Sequence, residues 1–145
     1  MNSIEQDRIE LVVLKEAADS HFSNKIKTAI KDAVGDRFHC DPRPYSFNIQ
    51  LTDENGCPVF GHYFTLSLLP FKEKTLRINY GSLGAFDPIK DQNRVLLIQA
   101  LNEVISNVCL ISYIEGLMRA WDEHEEIYVQ KICQLKERML KENQS

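Results

Sequence analysis

The C-terminal third of the chain carries a seam of positions separated alternately by three and four residues: Leu97, Ala100, Val104, Asn107, Ile111, Ile114, Met118, Trp121, Glu125, Tyr128, Ile132, Leu135 and Met139. That spacing is the signature of a helix pressing one stripe against a neighbour. Only Asn107 and Glu125 interrupt its apolar character. Upstream, Ser3-Ile-Glu-Gln6 has the form of a capping box, and Ile9, Val12, Val13, Ala17, Phe22, Ile26, Ala29, Ile30, Ala33 and Val34 follow at helical intervals until Gly35. This predicts a helical region over 1–35 that Gly35 stops, as one helix or as two divided at Asp19-Ser20, between which the pattern does not choose.

Between these helical regions the period falls to two. Tyr45, Phe47, Ile49 and Leu51 alternate with polar residues; Asp53-Glu-Asn-Gly56 is a turn. Phe60, His62, Phe64, Leu66 and Leu68 share one face of a second strand, and Leu76, Ile78 and Tyr80 one face of a third. Three strands over 45–80 with short turns imply an antiparallel meander with one packed and one wet face. Asp87 and Pro88 then suit an N-cap and first helical position, opening helix over 88–143. Unbroken, those ~55 residues would reach roughly 80 Å, so the region is either one projecting helix or two, with Gly116 as the breaking point. The expectation is one α+β domain over 1–145: an N-terminal helix, a three-stranded meander, and one long or two C-terminal helices on one sheet face.

Composition changes this picture little. At 145 residues, 43% hydrophobic and 26% charged, the chain can bury a single core without staples. The net charge is −4, and nine of the 21 acids fall within 91–145 against six of the 17 bases. That balance disfavours a nucleic-acid binder, and the wet sheet face supplies too few aromatic and basic side chains for an RNA platform. The N-terminus lacks the positive segment and apolar run of a signal peptide. Gln99, Asn102, Glu103, Asn107 and Glu115 make the apolar stretch 95–118 a buried helix rather than a membrane span. A cytoplasmic location with no membrane association is expected.

Candidate chemistry is sparse. The loop 80–88, YGSLGAFDP, has neither the Gly-Lys-Ser/Thr nor the G-x-G-x-x-G of a phosphate site, and Asp87 would repel an anion. His39, Cys40, Cys57 and His62 are the residue types that zinc accepts, but their spacing matches no C-x-x-C framework, so no metal is assigned. Cys40 between His39 and Asp41 has the types of a nucleophilic site without its elbow. His124-Glu125-Glu126-Ile127-Tyr128 begins like a zincin helix, but Tyr128 stands where the second histidine belongs. No catalytic residue and no cofactor is implied, and an enzyme comes second to a binding module.

The reading of function is therefore a small cytoplasmic protein that binds another protein: an adaptor, secretion-type chaperone, inhibitor or immunity protein. Met118, Trp121, Glu125, Tyr128, Ile132 and Leu135 of the seam, with Asp122 and Glu126 of the acidic run, are the candidate partner-binding residues, the partner being basic or a second copy paired through the C-terminal helix. The seam also has an intramolecular reading, in which it closes the chain's own core. Glu125 would weaken a symmetric pairing unless it meets a base. If the seam is an interface, Trp121→Ala reduces association and leaves helicity intact. The alternatives are a small enzyme or zinc protein centred on His39, Cys40 and His62, and a nucleic-acid-associated regulator.

Overall fold

The computed structural model describes residues 3–68, 76–81 and 92–143. Its elements are α1 (Ser3–Val34), β1 (Phe38–Pro42), β2 (Ser46–Thr52), β3 (Pro58–Leu68), β4 (Leu76–Gly81), α2 (Gln92–Ser106) and α3 (Val108–Asn143). The α+β architecture expected from the sequence is present, with four strands rather than three. The expected N-cap and first position at Asp87 and Pro88 lie outside the described residues.

Helix α1 runs undivided through Asp19 and Ser20. Phe22, Ile26 and Ile30, one turn apart, bury its C-terminal half. Gly35 ends it with φ of 86°, donating its N–H to the Lys31 carbonyl at 2.8 Å, the left-handed stop that a residue with a side chain adopts at a cost.

The strands form an antiparallel sheet in the order β1-β2-β3-β4. The extra strand, β1, places Cys40 and Pro42 on the buried side while His39 and Asp41 are exposed. Its two-residue period was hidden by Pro42, which lacks an N–H and is tolerated because β1 ends the strand order. The β2–β3 turn falls where Asn55-Gly56 predicted it. Asp53 Oδ1 accepts the N–H groups of Asn55 at 2.8 Å and Cys57 at 2.9 Å, and Gly56 takes φ of 82°. The register slips between Gln50 and Thr52, where the Gln50 amide donates to the Val59 and His62 carbonyls at 2.6 and 2.9 Å.

One face of the sheet supplies Cys40, Phe47, Ile49, Phe64 and Leu66 to the core. Against them lie Phe22, Ile26 and Ile30 of α1, Leu97, Ala100 and Val104 of α2, and Ile114, Met118 and Trp121 of α3. Ser46, Asn48, Gln50, Thr65 and Ser67 on the other face are half-buried, and Tyr63 is exposed.

The C-terminal helical region breaks at Asn107, not at Gly116. Asn107 Oδ1 accepts the Leu110 N–H at 3.0 Å and its carbonyl accepts that of Ile111 at 3.0 Å, so the residue that interrupts the seam is the cap of α3. The two helices meet there at 82°. Gly116 stays helical because Ile114 and Met118, on either side of it, are fully buried; their packing outweighs the roughly 1 kcal/mol a helical glycine costs. Among the described residues no single helix is long and apolar enough to cross a membrane.

Candidate partner-binding surface

Helices α1 and α3 run antiparallel, and the partners along them fix the register. Asp7 Oδ2 accepts from Arg138 at 2.9 Å near one end, and Asp19 Oδ1 accepts from Trp121 Nε1 at 2.8 Å in the middle. At 1.5 Å per residue, 32 and 36 helical residues are each roughly 50 Å long. Phe22, Ile26, Ile30, Ile114 and Met118, in one half of each helix, join the sheet and α2 in the core. In the other halves only Ile4 and Leu135 are buried.

At the junction of the two halves sits a polar group that composition did not reveal. Asp19 Oδ2 accepts from Lys15 Nζ at 2.7 Å, while Lys15 Nζ lies 3.6 Å from Glu125 Oε2 and 5.5 Å from the centre of the Tyr128 ring. Burial pushes the Asp19 carboxyl up, but the hydrogen bonds from Lys15 and Trp121 outweigh it and hold the carboxyl below its ordinary value. The bond to Asp19 raises Lys15, against an opposing effect of burial. The base that Glu125 needs is thus supplied within the chain. Phe22 completes the group, stacked on Trp121 with centroids 6.1 Å apart and set against His124 at 5.6 Å.

The seam residues divide accordingly. Met118, Trp121 and Leu135 are buried within the chain, at 0, 3 and 6% exposure, so truncating Trp121 disturbs the fold before it reports on association. Asp122, Glu125, Tyr128 and Ile132 are half-buried, and Glu126 is exposed. What the seam pattern missed is the shoulder beside it. A groove of about 310 Å³ between α1 and α3 is floored by Ala18, Trp121 and Tyr128. On its lips stand Leu14 and Ile127, 63 and 49% exposed. A second depression continues it past Leu11 and Lys131 to Asp7 and Arg138, and a third lies between Thr28 and Tyr113. All three are lined only by residues of α1 and α3 and lie along the same side of the pair. The signal was present in the sequence: Leu14 and Ile127 fall one position beside the apolar stripes of their helices, where a purely intramolecular helix would carry polar side chains.

The residues considered for metal or nucleophilic chemistry are not brought together. The pleat sends His39 and Cys40 to opposite faces of β1, leaving His39 exposed and Cys40 8% exposed in the core. Burial pushes the Cys40 thiol up to about 12, far from the thiolate a ligand or nucleophile requires. Cys57 lies in the exposed β2–β3 turn and His62 is half-buried on β3. Among the described residues no three His, Cys, Asp or Glu side chains converge in a way that could hold a metal ion.

No protein-family model, curated protein or solved structure matches this chain.

Proposed function

We propose that this protein works by binding another protein, in the manner of an adaptor, secretion-type chaperone, inhibitor or immunity protein, and that the grooved side of the α1–α3 pair receives the partner. The observation that carries this reading is the exposure of Leu14 and Ile127 on the lips of a groove floored by aromatic side chains. Large apolar residues beside a pre-formed concavity are what a protein partner desolvates with most gain. Exposed free thiols at Cys57, Cys109 and Cys133 suit a reducing cytoplasmic setting.

The test is capture from a lysate of the protein's own cells, with the wild type and the Leu14→Glu/Ile127→Glu variant as parallel baits. Both substitutions are on exposed helical positions, so circular dichroism should be unchanged. A stoichiometric partner held by the wild type and lost by the variant supports the reading. Equal retention by both, or none by a folded wild type, counts against it.

A further inference from the structure

The grooved side of the α1–α3 pair is charged in a pattern that is complementary to itself. Along this side of α1, Asp7, Glu10, Leu14, Ala17, His21 and Lys25 follow at steps of three and four. Glu10, Leu14, Ala17, His21 and Lys25 are exposed, and the Asp7 side chain is half-exposed at its contact with Arg138. Acids precede the apolar centre, and the imidazole of His21, whose N–H can donate to a carboxylate, and the ammonium of Lys25 follow it. Helix α3 repeats the arrangement: Glu123 precedes Ile127 by four residues and Lys131 follows it by four, all three exposed. The two apolar centres lie at one level, since Leu14 and Ile127 line the same groove.

From this we infer that the grooved side docks a second copy of this chain, face to face, about a two-fold axis that crosses both helices at the level of Leu14 and Ile127. The inference rests on the reading that this face docks protein, and it names the partner. A two-fold axis in that position sets α1 against the second copy's α1 and α3 against its α3, each pair antiparallel. With the axis passing between Leu14 and Ala17, Leu14 of one copy meets Ala17 of the other, Glu10 meets His21, and Asp7 meets Lys25. The same rotation brings Ile127 onto Ile127 and Glu123 onto Lys131. Each contact occurs twice, so two helices with independent sequences are satisfied by one operation. The other face-to-face two-fold, running along the helices, would set α1 on the second copy's α3, where Glu123 and Lys131 do not meet, so exchanging those two charges distinguishes the arrangements. With α1 set on α1, Asp7 keeps its bond to Arg138, because a carboxylate accepts from more than one cation.

The experiment is sedimentation velocity on the full chain over a range of concentrations, with Glu123→Lys, Lys131→Glu, their equimolar mixture, and Leu14→Glu. The wild type is expected at twice the 16.8 kDa chain mass. Each charge variant alone sets like charges opposite one another and weakens dimerisation by about tenfold or more. Mixing the two restores opposite charges at both contacts and restores the dimer; Leu14→Glu gives monomer with helicity unchanged. A wild type that remains monomeric at every concentration overturns the inference, as does a dimer indifferent to Leu14→Glu, or a mixture that behaves as the separate variants do. A monomeric wild type whose captured partner still depends on Leu14 removes self-docking and leaves the protein-binding reading standing. A dimer restored by mixing, with capture indifferent to Leu14, supports self-docking and removes the lysate partner from this face.

Discussion

The indole nitrogen of Trp121 donates to Asp19 Oδ1 at 2.8 Å, joining residues 102 positions apart and setting the register of α1 against α3. The same carboxylate accepts from Lys15 at 2.7 Å, one turn back along its own helix. A polar pair that looks locally like a place for α1 to break is therefore the point at which the two long helices are held.

Trp121→Phe keeps the stacking on Phe22 and removes the N–H. Unfolding in urea should show a loss of about 1–2 kcal/mol, the range for a partly exposed hydrogen bond to a charged group. Trp121→Ala should cost about 3–5 kcal/mol, because it also empties a core position. A Trp121→Phe variant as stable as the wild type would show that the Asp19 bond contributes nothing.

The Asp19 carboxyl is held below its ordinary value of 3.8, so its contribution is fully present above that pH and is lost as pH falls through the lowered value. Lys15 is raised above 10.5, so its contribution is present below that pH and is lost as pH rises past it. The stability difference between wild type and Asp19→Asn should accordingly be level near neutrality and shrink in acid. Denaturant midpoints of both proteins between pH 7 and pH 3 measure it. A difference that stays constant into acid would remove the ionised carboxylate from the account.

Asn107→Ala removes the side-chain acceptor at the start of α3 and should lower stability by about 1 kcal/mol. Gly116→Ala should raise it by a similar amount, since a Cβ there meets nothing within 4 Å and the backbone is helical. Opposite shifts in thermal midpoint are the expected outcome. A destabilising Gly116→Ala would place the break at the glycine after all.

Of the four cysteines, Cys57, Cys109 and Cys133 are exposed and Cys40 is buried with its thiol pushed up to about 12. An aromatic disulfide reagent at neutral pH should therefore titrate three thiols quickly and the fourth only on unfolding. Four fast thiols would contradict the burial of β1 against α1.

Much of this was legible along the chain, because local periodicity reports which face of an element is dry. Phe47, Ile49, Leu51, Phe64 and Leu66 announced the buried face of the sheet, Gly35 and Gly56 announced a helix end and a turn, and the seam announced the packed stripe of α2 and α3. Strand β1 was not legible, since Pro42 reads locally as a breaker and only its place at the end of the strand order makes it admissible. Nor could spacing alone choose between Asn107 and Gly116. Glycine weakens a helix by a small amount that packing on either side repays, whereas an asparagine side chain that bonds the next turn's N–H actively starts a new one.

The surface proposed for binding divides in the same way. The sequence determined which residues are apolar and which are charged, and the 3–4 period that set Leu14 and Ile127 beside the buried stripes. Tertiary structure alone decided that Lys15 answers Glu125, that Met118, Trp121 and Leu135 are spent within the chain, and that Leu14 and Ile127 share one groove. The reason is physical: periodicity is a property of one helix, while the level at which two antiparallel helices face each other depends on contacts between residues a hundred positions apart.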